Sequence, residues 1–226
     1  MKTFAIILLA GSSTRFSSET KKQFFEIKNK PLMLYSLETF DKSKVIDEIV
    51  LVVAPTDFDK VQDLINSKGY KKISSIVKGG KLRQESVKNG LDAIKKNEGI
   101  VLIHDAARPL VDNKIIIDLK QALERFDGVS PALESVNTIA RVDKDGKIIS
   151  FENRNELYQI QTPQAFKLEI IKQAHENSKN SNATDDLQLV KQINKTVGII
   201  PGNQKYLKVT TQSDIKLIED YLKEDE

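Results

Sequence analysis

The stretch Phe4-Ala-Ile-Ile-Leu-Leu-Ala-Gly-Ser-Ser-Thr-Arg-Phe16 decides the fold. Its first half, Phe4–Leu9, is apolar at every position. A strand with one solvated face alternates apolar and polar side chains, whereas a parallel strand covered by helices on both faces is continuously apolar. The second half is built of small residues closing on Arg15, and Lys21-Lys-Gln23 follows. Small residues beyond a buried strand let backbone N–H groups turn inward around an anion. Arg15 adds a planar fork of donors matched to phosphate oxygens, and Lys22 adds a compact positive charge. The segment lacks G-x-x-x-x-G-K-[ST] and G-x-G-x-x-G, so it is neither a Walker loop nor a dinucleotide fingerprint. Taken alone, it fits an ordinary polar turn with solvated basic residues equally well.

Outward from this strand, apolar runs and amphipathic stretches alternate. Ile49–Val53, Ile73–Val77, Ile100–Ile103 and Val129–Leu133 read as short buried strands, with helices at Leu32–Phe40, Phe58–Ser67, Gln84–Lys95 and Lys114–Phe126. In the last of these, Ile116, Leu119, Leu123 and Phe126 recur at the spacing of one buried helix face. Such alternation predicts an α/β fold, a Rossmann-like doubly wound and mostly parallel sheet. Ligands of such sheets bind beyond the carboxyl ends of the strands.

After Leu133 the pattern changes. Val136–Val142 and Lys147–Phe151 flank Asp143-Lys-Asp-Gly146, whose Asp-Gly pair signals a hairpin. A projecting β-arm is expected at about residues 134–158. Helices at Lys167–Ser178 and Asp185–Ile193, strand character at Val197–Ile200 and Tyr206–Val209, and a last helix from Asp214 complete one domain over residues 1–226.

Composition narrows the chemistry. With 226 residues, 39% hydrophobic and 30% charged, the chain can bury a core without disulfides or a structural metal. Its net charge of +3 is too slight to imply nucleic-acid binding, and suits an anionic small substrate. The absence of cysteine excludes disulfides, thiolate zinc sites and a cysteine nucleophile. His104 and His175 lie far apart and do not make a zinc site. Met1-Lys2 before the apolar run imitates a secretion signal, but the run is short and no A-x-A site follows it. The run also falls short of the ~20 residues of a membrane helix. A cytoplasmic protein is therefore expected.

Three further segments accompany the first loop: Gly79-Gly80 with Arg83 and Ser86, Ile103-His-Asp-Ala-Ala-Arg-Pro109, and Gln161-Thr-Pro-Gln-Ala-Phe166. Alone, the H-D-x-x-R-P stretch is best read as a salt-bridged turn, although an aspartate leaving a strand beside a nucleotide pocket is also placed to hold Mg²⁺ against a phosphate. In this order the segments resemble the 2-C-methyl-D-erythritol 4-phosphate cytidylyltransferase family, with the ribitol-5-phosphate cytidylyltransferases as a close sister. The resemblance runs from Phe4 to about Tyr221.

The resemblance implies a nucleotidyltransferase in which a sugar-alcohol phosphate attacks the α-phosphorus of CTP and pyrophosphate leaves. It places Arg15, Lys22 and Lys208 on the triphosphate as the catalytic charges, and Asp105 on Mg²⁺. It assigns Ala10, Gly11, Ser12, Gly80, Arg83, Ser86 and Ala106 to the nucleotide. It assigns Arg108, Thr138, Arg154 and Thr162 to the acceptor. Thr138 and Arg154 would reach the site from a neighbouring subunit through the arm, which implies a homodimer. In-line transfer of this kind relies on positioning and charge, so no nucleophile–histidine pair is required.

Departures from the family pattern are Ser13 for a glycine, Lys81 for an acidic residue, Asn137 before Thr138, and Ala140. Arg154-Asn-Glu-Leu-Tyr158 leans toward the sister group, whereas Ala107 and Thr184-Asp-Asp186 lean toward methylerythritol phosphate. A catalytically weak CTP-binding protein is the rival reading, and the full charge set argues against it. Plainer roles are also open. Thr184-Asp185-Asp186 suits a helix N-terminus, His104 a packed support for Asp105, and His175 a solvated helix face.

Overall fold

The computed structural model describes residues 1–11, 16, 21–178 and 183–224. The chain opens on β1 (Thr3–Leu9), a small ribbon of β2 (Glu26–Ile27) and β3 (Lys30–Pro31), and α1 (Leu32–Lys42). Then come β4 (Glu48–Val53), α2 (Phe58–Lys68), β5 (Ile73–Lys78), α3 (Arg83–Ala93), β6 (Ile100–Asp105) and α4 (Asn113–Ala122). Strand β7 (Gly128–Glu134) leads into the hairpin of β8 (Ala140–Val142) and β9 (Ile148–Phe151). Strands β10 (Tyr158–Ile160) and β11 (Gln164–Lys167) return the chain to the sheet, followed by α5 (Leu168–Glu176) and α6 (Asp186–Gln192). Strand β12 (Val197–Pro201) and α7 (Gln212–Glu224) complete the order.

The main sheet runs β5-β4-β1-β6-β11-β7-β10, with β12 also paired to β7. Pairings among β5, β4, β1 and β6 are parallel, as is β12 with β7. Strand β11 is antiparallel to both β6 and β7, and β10 is antiparallel to β7. The position of β1 accounts for its apolar run. Ala5, Ile7 and Leu9 face one core with α1, α2 and α4, while Phe4 and Ile6 face another with α3, α5 and α6. Both faces are covered, so no position needs to be polar. Strand order reverses at β1, where β4 lies to one side and β6 to the other, and that crevice is the expected ligand position.

The mostly parallel sheet and the hairpin agree with the sequence, whereas several boundaries do not. Helix α4 ends at Ala122, and buried Leu123 lies just beyond it, so the apolar spacing marked burial over a longer stretch than helix. The hairpin strands are shorter than Val136–Val142 and Lys147–Phe151. Tyr206–Val209 forms no strand, since a 3-10 turn over Gln204–Tyr206 precedes irregular backbone there. The last helix starts at Gln212 rather than Asp214. Strand β11 begins inside the QTPQAF segment and runs one residue beyond it, although the proline there suggests only a turn around Pro163.

The hairpin closes at Asp143–Gly146, where the Asp143 carboxylate accepts from the N–H groups of Asp145 and Lys147 and Gly146 takes φ +84°. Its side chains are unusually apolar for exposed ones: Val136, Ile149 and Phe151 are 77%, 63% and 65% exposed.

Candidate active site

At the carboxyl ends of β1 and β6 lies a cleft of about 310 Å³, within the range of small-ligand sites. One wall is the end of β1 with Ala10 and Gly11, and another is the segment Gly80 to Ser86 at the start of α3. Asp105, Ala106 and Ala107 form its floor, and Lys22 and Lys208 enter from separate parts of the chain.

The Gly79-Gly80 pair follows from close approach. A Cβ on Gly79 would stand 2.6 Å from that of Ala10, and one on Gly80 would stand 2.3 Å from that of Glu85. Without side chains there, the start of α3 closes against β1. The turn is then fixed by local bonds. Ser86 Oγ accepts from the N–H of Gly80 (3.1 Å), and Glu85 Oε2 accepts from those of Lys81 (2.7 Å) and Leu82 (3.2 Å).

Asp105 is the electrostatic centre. Lys208 Nζ donates to its Oδ2 at 2.6 Å, and Arg83 Nε stands 3.6 Å from its Oδ1. Burial pushes this carboxyl upward, but the charges of Arg83, Lys208 and Arg108 outweigh it and hold it well below the usual carboxylate range. Asp105 is therefore a firm anion surrounded by cations. Its backbone N–H donates to Thr162 Oγ1 at 3.1 Å, and that hydroxyl lies 3.3 Å from His104 Nδ1. His104 Nε2 lies 3.0 Å from the carbonyl of Arg108. A carbonyl can only accept, so Nε2 carries the proton and Nδ1 accepts from the threonine hydroxyl. Burial pushes the imidazole down to about 4.

Lys208 owes its position to the preceding loop. Arg108 Nη1 donates to the carbonyl of Tyr206 (2.6 Å), and the N–H of Val209 donates to the carbonyl of Ala107 (2.8 Å). Lys22 Nζ reaches the carbonyl of Val209 at 3.0 Å. Lys21 and Gln23 both bind the buried carboxylate of Asp57, which anchors this segment beside the cleft.

A lysine pair, an ionised aspartate and a half-buried arginine around a cleft at the sheet's switch point suit a polyphosphate ligand. The model of the 2-C-methyl-D-erythritol 4-phosphate cytidylyltransferase family (IspD) matches residues 3–224. The chain belongs to this family. It is 39% identical to 2-C-methyl-D-erythritol 4-phosphate cytidylyltransferase of Clostridium botulinum strain 657, over 98% of this chain and 97% of that protein. The enzyme of the same name from Clostridium perfringens strain SM101 is also 39% identical, over 98% and 99%. Among solved structures, 4-diphosphocytidyl-2C-methyl-D-erythritol synthase from Anaerococcus prevotii superposes with a TM-score of 0.85 at 30% identity, covering 98% of this chain and 96% of that one.

Within the cytidylyltransferase cleft lie Ala10, Gly11, Lys22, Gly80, Arg83, Ser86, Asp105, Ala106 and Lys208. Ser12, Ser13 and Arg15 lie outside the described residues. Thr162 is buried, its hydroxyl bonded to the Asp105 N–H and near His104, and it does not line this cleft. Arg108 is likewise turned to the Tyr206 carbonyl, and its Nε is buried with no hydrogen-bond partner among the described residues. Thr138 and Arg154 are exposed on the arm and do not line this cleft.

Sequence reasoning missed three contributors. Asp57 carries no motif, because its role depends on a contact with Gln23, 34 residues away in the chain. His175 is buried rather than solvated, and Asp186, expected only at a helix start, bonds both His175 and Arg83. Asp185, by contrast, does cap α6, accepting from the N–H of Leu187.

Proposed function

We propose that this chain transfers the cytidylyl group of CTP to 2-C-methyl-D-erythritol 4-phosphate. A phosphate oxygen of the acceptor attacks the α-phosphorus, the bond from that phosphorus to the bridging oxygen breaks, and pyrophosphate leaves. The observation that carries the reading is the meeting of Lys22, Lys208 and Asp105 in one cleft of a chain belonging to this family. Lys22 and Lys208 would neutralise charge building on the triphosphate and the leaving pyrophosphate. Arg15 would add its charge to the same phosphates. The turn from Gly80 to Ser86 would hold the nucleoside, its N–H groups already spent on Ser86 and Glu85.

The residues present fit a magnesium ion of the substrate-borne kind. Asp105 is held ionised in the cleft, and no cluster of three or more metal-ligating side chains occurs among the described residues. Mg²⁺ commonly takes one or two carboxylates with substrate phosphates completing its shell. When bound, it would supply Lewis acidity and align phosphate oxygens.

A homodimer through the arm completes the reading. Val136, Val142, Ile148, Ile149 and Phe151 expose more apolar surface than a lone hairpin normally leaves in water. A second copy covering it would bring Thr138 and Arg154 to its neighbour's acceptor phosphate. No helix among the described residues is long and apolar enough to cross a membrane, in keeping with the proposed cytoplasmic location.

The test is direct. Purified protein with CTP, Mg²⁺ and 2-C-methyl-D-erythritol 4-phosphate should release pyrophosphate. Turnover on ribitol 5-phosphate alone would transfer the chain to the sister activity. CTP binding without turnover on any acceptor would reduce it to a nucleotide-binding protein.

A further inference from the structure

The contacts that hold Arg83 continue away from the cleft into the protein. Arg83 opens α3, and its Nη1 donates to Asp186 Oδ2 at 2.6 Å. Asp186, at the start of α6, has a side chain only 1% exposed. Its other oxygen lies 3.0 Å from Nε2 of His175, in the last turn of α5. Asp186 is held below the ordinary carboxylate range: burial opposes this, but the Arg83 charge and the His175 hydrogen bond outweigh it. An ionised carboxylate can only accept, so His175 Nε2 donates. Its Nδ1 is buried with no hydrogen-bond partner among the described residues, which leaves Asp186 as the imidazole's polar contact there.

A simple staple between α3 and the α5–α6 pair would account for these bonds if Arg83 touched nothing else. It also lines the cleft and stands 3.6 Å from Asp105. The guanidinium thus has two carboxylates within reach, and the shorter bond goes to the one outside the cleft. Were Asp186 neutral, the nearest anion for Arg83 would be Asp105, already paired with Lys208. Closing on it would withdraw Arg83 from the nucleotide and crowd the anion needed beside the phosphates.

We propose that Asp186, steadied by His175, is a positioning residue that commits Arg83 Nη1 to itself, so that the guanidinium stays at the nucleotide end of the cleft and meets Asp105 only through Nε at 3.6 Å. The inference rests on the CTP reading above. It concerns residues that never meet substrate and act only through Arg83.

Isothermal titration of the full chain with CTP and Mg²⁺ tests it, alongside steady-state kinetics. Asp186→Asn should weaken CTP binding about ten-fold and raise KM for CTP, with kcat and the acceptor KM little changed, the pattern of lost uniform binding. Arg83→Gln should do the same, and the double variant should bind no worse than Arg83→Gln alone, because coupled residues are not additive. His175→Leu should weaken CTP binding, and His175→Gln, whose amide can still donate, should restore it. That pair carries the test if Asp186→Asn does not fold by circular dichroism. Unchanged CTP affinity in folded Asp186→Asn, additivity with Arg83→Gln, or equal affinity of both His175 variants would overturn the inference. A wild-type chain that did not bind CTP would overturn the functional reading and the inference together.

Discussion

His104 and Asp105 are neighbours at the end of β6 with opposite electrostatic fates. Asp105 is surrounded by cations and stays charged, while His104 is wholly buried, neutral, and pushed down to about 4. An unfolded histidine titrates near 6.5, so between about pH 4 and 6.5 the unfolded chain binds the extra proton. Stability must then fall as the pH drops through this window. For a site of this shift the loss from pH 7 to pH 5 is roughly 2 kcal/mol. Urea unfolding of metal-free protein at the two pH values measures it, and His104→Gln should remove most of that part of the dependence.

In the proposed reaction the lysines would differ from this histidine by acting on charge that develops only during transfer. Lys208→Ala should lower kcat by roughly 100-fold or more while leaving the acceptor KM nearly unchanged, as expected when a transition-state donor is removed. Steady-state pyrophosphate release decides the split. Lys22, Lys208 and Asp105 were legible in the sequence because each sits in a short segment that carries the family resemblance, although only Asp105 ends a strand. Asp57, His175 and Asp186 were not, because each gains its meaning from a residue distant in the chain, and spacing carries no trace of such pairs.

At the scale of elements, the turn from Gly79 to Ser86 is the most constrained part of the cleft. Gly80→Ala would push its methyl group into Glu85, whose carboxylate holds the N–H groups of Lys81 and Leu82. Displacing Glu85 frees those donors and opens the nucleoside wall. KM for CTP should rise about ten-fold with kcat changed far less, as for a uniform binding loss. A thermal melt should show only a small shift, because the turn lies at the surface.

The parallel half of the sheet was legible because a short, continuously apolar run fits a strand covered on both faces and little else. The antiparallel half was not. Strand β11 contributes four residues, begins with the polar Gln164 and follows a proline, so nothing local distinguishes it from a turn. Its strand character comes from β6 and β7, between which it is inserted. In the same way, Leu123 is buried without being helical, because burial depends on the neighbouring layer and helix on the backbone.

For the whole molecule, the arm is the feature with most surface left to bury. Fully burying one phenylalanine is worth about 2–3 kcal/mol, so several such side chains suffice to hold two copies together. In the proposed arm-mediated dimer, Phe151→Glu should shift sedimentation from dimer to monomer, with the acceptor KM rising and CTP binding retained. Mixed dimers of Lys22→Ala and Arg154→Ala chains should regain part of the activity that each homodimer lacks. No recovery in verified mixed dimers would count against sites shared between subunits.

The contact between the first loop and the Lys208 segment also bears on how the protein comes into being. The Lys22 ammonium rests on the carbonyl of Val209, 187 residues further along. A ribosome releases the first loop long before the stretch holding Val209 and Lys208 exists. Until that stretch folds back against Ala107, the growing chain has half a triphosphate site and little affinity to gain from nucleotide. Any stabilisation by CTP therefore arrives only at the end of synthesis, and a chain cut before Lys208 would fold, if at all, without its ligand's help.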